Sequence, residues 1–168
     1  VVAGIVRDVT ITGAYRCIGD SAENRRSGEV RLYNVTVDGT SYALNFGYGK
    51  NEEKLIAEGS HFYGWSSYTG FSEALFTDCT FGWDSTGSQG NLRPYINTTL
   101  TGCRFEGKTD ADGNPVPFNI HFKSGSDGIT LTLEDCYVGD TLITEENLHT
   151  LLSVSQEGNR ILVFNSEE

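Results

Sequence analysis

The sequence predicts an all-β fold, a single-stranded, right-handed parallel β-helix (a solenoid) of about six coils with a short C-terminal capping helix. Two observations predict it. A short strand-turn-strand motif recurs six times along the chain. Glycine makes up 20 of the 168 residues, against 3 prolines and no methionine, which favours sharp turns and short strands over long helices. The length suits one domain, so residues 1–168 are expected to form a single β-helix domain.

Each copy of the repeat has an apolar strand end, a turn residue, a small residue, one polar residue and a larger apolar residue. The copies read VRDVTITG, LYNVTVDG, AEGSHFYG, FTDCTFGW, LTGCRFEG and LEDCYVGD. The small position is occupied by Val9, Val35, Ser60, Cys79, Cys103 and Cys136. These positions are 26, 25, 19, 24 and 33 residues apart, which fits one solenoid coil with variable loops, whereas β-sandwich strands recur every 8 to 12 residues or so.

The motif also predicts which side chains face inward. Alternate residues of a strand point the same way, so the six small residues are expected to stack inside the coils as a ladder, about 4.8 Å apart. The turn position predicts a second ladder, made of Asp8, Asn34, Gly59, Asp78, Gly102 and Asp135. These residue types tolerate left-handed backbone. Weaker apolar strands at 42–46, 93–96 and 117–122 give each coil about three short strands over residues 4–143.

The C-terminal part of the sequence predicts a cap. In TEENLHTLL, Thr144 is placed to cap a helix over residues 145–154, and three leucines share one helix face. We expect this helix to cover the open end of the solenoid, because an uncovered coil exposes core and unpaired strand edges. RILVF at 160–164 then predicts a final strand. No comparable cap precedes Val1, so a partner segment, another domain or a neighbouring subunit is expected to cover that end.

The four cysteines favour buried thiols over disulfides. Cys79, Cys103 and Cys136 occupy the same motif position in successive copies, so their thiols are expected to stack in the interior as small apolar groups. A bridge between parallel neighbours would be strained. Cys17 lies outside this ladder, and the sequence names no partner for it. No Cys/His spacing predicts a zinc site.

Taken together, these motifs resemble the right-handed parallel β-helix repeats of the pectate-lyase-like superfamily. The strings ALFTDCTFG, NLRPYINTTLTGCRFEG and LEDCYVGDTLITEENL are similar to β-helix segments of large surface proteins from gut Firmicutes. The resemblance covers residues 4 to 148 and concerns core and turn residues. It implies a fold and an extracellular or cell-surface location, as part of a larger protein or assembly. It implies no activity, because function depends on sites grafted onto folds.

Charge and hydropathy exclude some partners. The net charge of −11 repels phosphate backbones and anionic lipid headgroups, so neither nucleic acid nor a membrane surface is an expected partner. No apolar run reaches the 18 or so residues that a spanning helix needs, so no membrane insertion is predicted. The remaining partners are a glycan or another surface protein.

An aromatic cluster is the most suggestive surface feature. Aromatic rings on a solenoid wall offer flat faces on which sugar rings stack. The candidates for carbohydrate binding are Tyr63, Trp65, Tyr68, Trp83 and Tyr95. The alternative is that these rings pack onto the core and loops, and the sequence leaves both interpretations open.

A calcium site is an alternative interpretation of DADGN. Asp110, Asp112 and Asn114 place oxygen atoms at alternate positions before and after a glycine turn. The segment departs from the EF-hand pattern, because His121 stands at the twelfth position. Asp-Gly turn chemistry explains it as well. Apart from calcium, no cofactor is predicted.

Two enzymatic alternatives remain open beside a binding module. A polysaccharide lyase needs a cationic base, for which Arg93, Arg104 and Lys123 are available, near carboxylates such as Asp78 and Asp84. A hydrolase needs paired carboxylates, yet Asp8, Asp78 and Asp135 belong to the first, fourth and sixth repeats. No catalytic residue is therefore assigned. The sequence favours a non-catalytic β-helix module of a bacterial secreted or cell-surface protein, a spacer or adhesin that binds carbohydrate. The alternative is a lyase or glycoside hydrolase.

Overall fold

The computed structural model describes residues 4–20, 28–48, 52–122, 128–155 and 158–166. Within these ranges the protein is all-β, as predicted, and it contains one four-residue helix. The strands and the helix have the following bounds: β1 Gly4–Thr12, β2 Arg16–Gly19, β3 Val30–Phe46, β4 Lys54–Glu58, β5 His61–Tyr68, β6 Glu73–Thr77, β7 Thr80–Gly82, β8 Asn91–Pro94, β9 Thr98–Thr101, β10 Arg104–Phe105, β11 Lys108–Thr109, β12 Pro115–Val116, β13 Phe118–His121, β14 Thr130–Glu134, β15 Tyr137–Val138, β16 Thr141–Leu142, α1 Leu148–Leu151, β17 Leu152–Ser155 and β18 Arg160–Phe164.

The strands pair in three parallel series, which we call the first, second and third stacks. The first stack comprises 4–7 of β1, 30–33 of β3, β4, β6, β9, β14 and β18. The second comprises 9–12 of β1, 35–38 of β3, 61–63 of β5, β7, β10 and β15. The third comprises β2, 42–46 of β3, 65–68 of β5, β8, β13 and β17. Chain order is kept within each stack.

The main sheet is curled and open, and its pairing is mixed. Sixteen strands belong to it, and β15 pairs with β16 in the antiparallel sense. β11 and β12 form a separate antiparallel hairpin. The parallel stacks nevertheless dominate, and the first two keep the register that the repeat predicts.

The turn between the first and second stacks repeats in the same backbone conformation. All six residues of the predicted turn ladder have positive φ, between 50° and 64°. The set is Asp8, Asn34, Gly59, Asp78, Gly102 and Asp135. Left-handed backbone costs most L-residues about 1–2 kcal/mol, and glycine, aspartate and asparagine tolerate it best. The prediction of a left-handed turn at these positions is therefore confirmed.

Five members of the ladder of small residues lie in the core. Val35, Ser60, Cys79, Cys103 and Cys136 are at most 1% exposed. Backbone N–H groups on the next layer bond to this row, since Thr80 donates to the carbonyl of Ser60 and Arg104 to that of Cys79, both at 2.9 Å.

Val9 departs from the ladder. It pairs with Val35 as predicted but is 37% exposed, so its predicted burial is wrong. The reason is its place on β1, the outermost strand of its stack among the described residues, where a layer covers only one side.

Aromatic rings fill the core beside the small residues. Phe62, Phe81 and Phe105 stand at the inward position of three successive strands of the second stack. Their ring centroids are 5.7 Å and 5.8 Å apart, within the range of favourable aromatic contacts. Phe76 from the first stack and Phe118 from the third complete this row from the other two walls.

The predicted C-terminal cap is partly wrong. The helix covers only Leu148–Leu151, and residues 152–155 form β17, which pairs with β13. Thr144 does not cap it; Asn147 is the N-cap residue, and its Oδ1 accepts the Thr144 backbone N–H at 2.8 Å. An available parallel partner outweighs the weak propensity of a short helix. Leu148 and Leu152 are buried, and the predicted final strand at 160–164 is confirmed.

Candidate functional site

The five predicted aromatic residues fall into different surroundings, and Tyr68 is not a surface residue. It is 0% exposed, and its hydroxyl lies 3.1 Å from the hydroxyl of Thr98. Burial raises the pKa of this phenol. The prediction that Tyr68 contacts a sugar is therefore wrong. Counting in steps of two from the inward Phe62 places Tyr68 inside, a signal that was present in the sequence.

Trp83 is a packing residue of the loop after β7. Its ring makes an edge contact with Phe118 at 5.8 Å, and the Lys108 ammonium lies 4.3 Å from its ring centroid. A side chain at Gly90 would collide with the indole, since a Cβ there would lie 2.7 Å from it. Trp83 is packed against the hydrophobic core, so the structure favours the packing interpretation for it.

Tyr63 lies on the outer side of the second stack. Its ring stacks on that of His61, with centroids 6.4 Å apart and 6° between the planes. Burial, with smaller contributions from the charges of Glu106 and Asp38, raises the pKa of its hydroxyl. Gly64 follows with φ 114° and turns the chain to the third stack. Tyr63 and Trp65 are thus two residues apart yet lie on different walls.

Trp65 and Tyr95 are brought together on the third stack, through Arg93. The guanidinium carbon of Arg93 lies 4.7 Å from the centroid of the Trp65 ring and 5.8 Å from that of Tyr95. On the preceding layer, the ring of Tyr42 meets Trp65 edge-on at 5.1 Å. Stacking of arginine on an aromatic face is worth about 0.5–1 kcal/mol at exposed sites.

The same arrangement continues to the first layer. The ring of Tyr15 meets Tyr42 edge-on at 6.0 Å, and Tyr15 is 62% exposed. The guanidinium carbon of Arg16 lies 5.6 Å from both ring centroids. We call the whole set the aromatic–arginine column, and it consists of Tyr15, Arg16, Tyr42, Trp65, Arg93 and Tyr95. From β2 to β8 it crosses three strand spacings, or about 14 Å.

The sequence analysis predicted only Trp65 and Tyr95 of these six residues as surface binding residues. Arg93 stood only among the possible bases of a lyase, and Tyr15, Arg16 and Tyr42 were not singled out. Tyr42 did carry a signal, because it begins the predicted strand 42–46 and alternates with the apolar Leu44. Its pairing with Trp65 follows only from the register between coils.

Neutral polar side chains surround the column. On the third stack, Asn91 and Asn119 follow Trp65 in register, and all three side chains are half-buried. His121 lies further along, where its Nδ1 is 2.8 Å from the hydroxyl of Ser155. Partial burial and the positive charge of Arg93 lower the pKa of His121. The wall therefore combines aromatic faces, guanidinium groups and amides.

The residues of the predicted calcium site form a turn instead. Asp110 Oδ1 accepts the backbone N–H groups of Asp112 and Asn114 at 2.9 Å and 2.8 Å. The hydrogen bonds from Asn114 are the main cause that lowers the pKa of Asp110. The turn closes the β11–β12 hairpin, with Gly113 at φ 83°. One carboxylate oxygen of Asp110 is thus engaged within the turn, and turn chemistry accounts for the segment without a metal ion.

The other predicted chemistry is dispersed. Arg93 lies in the column on the third stack, whereas Arg104 on the second stack binds Asp140 at 3.3 Å. Asp78 is a turn residue, and Asp84 is buried in a loop where its Oδ1 accepts four hydrogen bonds. Lys123 lies outside the described residues. Within the described ranges, no three His, Cys, Asp or Glu side chains are close enough to share a metal ion.

All four cysteines are free thiols; three are buried in the core, and Cys17 is half-buried. Cys79 and Cys103 donate to the carbonyls of Thr77 and Phe76 at 3.3 Å and 3.4 Å. Hydrogen bonds to the neighbouring thiols of the ladder, together with burial, raise the pKa of Cys103. Cys17 is half-buried, and its Sγ lies 3.5 Å from the Ala14 carbonyl. Desolvation raises its pKa too.

Comparison with known proteins gives no family. No family model, no curated protein and no solved structure matches the chain. Among the described residues, no helix has the length and apolar character needed to cross a membrane.

Proposed function

We propose that the chain is a right-handed parallel β-helix that serves as a non-catalytic module of a bacterial secreted or cell-surface protein and binds carbohydrate at the aromatic–arginine column. The observation that carries the binding function is the contact of Trp65 with Tyr42 on one side and Arg93 on the other. Together with Tyr15 and Arg16, these contacts form a continuous row of rings and guanidinium groups along the third stack.

Three features support the β-helix. The three stacks are parallel and follow chain order, the turn after the first stack recurs six times in left-handed backbone, and the side chains between the stacks form one core. Connections between parallel strands of one sheet are right-handed in about 98% of cases. That rule supports the right-handed winding.

The column suits a sugar polymer because of its shape and composition. Sugar-binding sites combine apolar ring faces with a few fixed polar groups. The column offers Trp65 and Tyr42 as rings and Arg93 as a donor, and Asn91 and Asn119 are adjacent. Since the groups lie on strands of a sheet, they are held in place before a ligand arrives. Such preorganisation lowers the entropy cost of binding.

The distribution of charged groups favours binding over catalysis. Acid–base chemistry needs its groups within hydrogen-bond reach of one substrate. The candidate bases Arg93 and Arg104 lie on different stacks, and the latter is paired with Asp140. The candidate carboxylate Asp78 has its place in the turn ladder.

The proposal is tested on a glycan array with the 168-residue protein and matched variants. We expect Trp65→Ala to weaken retention about tenfold or more, as for an aromatic anchor at a binding site. Tyr33→Ala is the matched control, because Tyr33 also carries a stacked arginine, Arg7 at 5.3 Å, but belongs to the first stack. Far-UV circular dichroism checks that both variants fold.

Two results would contradict the proposal. If the wild-type protein binds no glycan, the module is a spacer and the column has another purpose. If Tyr33→Ala and Trp65→Ala weaken binding equally, the ligand does not lie on the third stack. Incubation with uronic-acid polymers, followed by detection of new chain ends, tests the enzymatic alternative in parallel.

A further inference from the structure

The strands of the third stack contain no acidic residue. Their sequences are RCIG, YALNF, WSSY, NLRP, FNIH and LSVS. The first stack carries Glu58, Glu73 and Glu134 beside four basic residues, and the second carries Asp38 beside Arg104. On the strands of the third stack, Arg16 and Arg93 have no acidic residue beside them.

Among the described residues, the two arginines of the third stack lie against aromatic rings rather than carboxylates. Among the residues that the structure describes, neither Arg16 nor Arg93 has a carboxylate within salt-bridge distance; both guanidinium groups lie over aromatic rings. The carboxylate of Asp20, which follows β2, accepts the backbone N–H groups of Gly47 and Tyr48. Stacked guanidinium groups keep their terminal N–H donors, which bind carboxylate and sulfate groups in a fork.

From these observations we infer that the ligand of the aromatic–arginine column is an anionic glycan, one that carries carboxylate or sulfate groups. This inference rests on the proposed carbohydrate-binding function and adds the class of sugar. From Arg16 and Arg93 a neutral glycan gains only hydrogen bonds to its hydroxyl groups. An anionic glycan also gains the attraction of their charges, and elsewhere it meets the repulsion of a protein with net charge −11.

The geometry also defines how the charges are spaced. Arg16 belongs to the first layer of the third stack and Arg93 to the fourth, and their guanidinium carbons lie 5.6 Å from the ring centroid of Tyr42 and 4.7 Å from that of Trp65. Trp65 and Tyr42 lie between them. The ligand is thus expected to carry charges on separate sugar units, with an uncharged ring face over the aromatic residues.

Affinity electrophoresis of the folded protein tests the inference with defined polymers. The probes are polygalacturonate for carboxylates, dextran sulfate for sulfates, unmodified dextran as the neutral polymer and a single-stranded DNA oligonucleotide as a non-glycan anion. We expect retardation by one or both anionic glycans but not by dextran, and weaker retardation as salt is raised, since screening grows with ionic strength.

Variants assign the effect to the column. Arg93→Gln should weaken binding of the anionic glycan about tenfold, as expected for loss of a hydrogen bond to a charged group. Arg7→Gln is the matched control, because Arg7 lies over Tyr33 on the first stack in a similar manner and should leave binding unchanged. Arg93→Lys, which keeps the charge but not the flat stacking, should retain part of the affinity.

The outcomes separate this inference from the proposed function. Equal binding of dextran and of the anionic polymers, lost in Trp65→Ala but not in Arg93→Gln, would overturn the inference and leave carbohydrate binding intact. No binding of any glycan would overturn both. Tighter binding of the oligonucleotide than of every polysaccharide, or equal effects of Arg7→Gln and Arg93→Gln, would also overturn the inference.

Discussion

Replacement of Phe81 by alanine tests which side chains of the second stack face the core. Phe81 is 1% exposed, and its ring lies 5.7 Å, 5.2 Å and 5.8 Å from the rings of Phe62, Phe76 and Phe105. Truncation of a buried phenylalanine costs about 3–5 kcal/mol, because the transfer free energy is lost and a cavity remains. Three ring neighbours place Phe81 at the upper end of that range.

The measurement is urea unfolding, followed by the fluorescence of Trp65 and Trp83. With an m-value of about 2 kcal/mol/M, a loss of about 5 kcal/mol lowers the midpoint by about 2.5 M. That is a large part of the roughly 5–15 kcal/mol that stabilises a typical domain.

The neighbouring residue provides the control. Thr80 precedes Phe81 on β7 and lies outward, half-buried, so Thr80→Ala should change the free energy of unfolding by less than about 1 kcal/mol. A shift of register by one residue would exchange the two positions. If Thr80→Ala proved as destabilising as Phe81→Ala, the assignment of inward and outward faces on the second stack would be refuted.

Three further predictions concern the turns, the thiols and the hairpin. Asp78→Val should lower the free energy of unfolding by about 1–2 kcal/mol in urea titrations while Asp78→Gly should not, because φ is 50° there. A thiol reagent should label Cys17 in the native protein, and the three ladder cysteines only after unfolding; because desolvation raises the pKa of Cys17, its labelling rate should keep rising to a higher pH than that of a free thiol. The pKa of Asp110 is lowered below 3.8, so its carboxylate stabilises the fold above that pH and ceases to do so as pH falls through the lower folded value. In thermal melts between pH 2 and 6, Asp110→Asn should therefore lose less stability on acidification than the wild type, and added calcium should change neither melting temperature.

The repeat predicted the turns and most of the inward positions because both depend on local chemistry. Asp, Asn or Gly at the turn indicates left-handed backbone directly. The alternation of side chains along a strand then places Cys103 and Phe105 inside. Val9 has the same local pattern, yet it is exposed because β1 lacks a described layer on one side. Burial at an end of a stack depends on the neighbouring layer, which the local sequence does not contain.

The predicted cap shows a competition that local patterns do not resolve. Residues 148–152 carry leucines at helical spacing, but LSVS at 152–155 also alternates as a strand. The unpaired edge of β13 decides the outcome, and β17 pairs with it over four residues. A helix of four residues gains little from its own hydrogen bonds. Tertiary pairing therefore determines where the helix ends.

The aromatic–arginine column was the hardest feature to predict, because the third stack is not in phase with the repeat. From the small residue of each motif to the first partner in the third stack, the chain takes 7, 7, 5, 12 and 16 residues, ending at Arg16, Tyr42, Trp65, Asn91 and Asn119. Counting from the motif thus aligns the first two stacks but not the third.

The variable spacing also shows which segments accommodate insertions. Loops between the second and third stacks differ by up to 11 residues while the third stack keeps its register, so the loops absorb changes in length. The surface that we propose for binding is therefore set by strand pairing and not by the spacing of the motif.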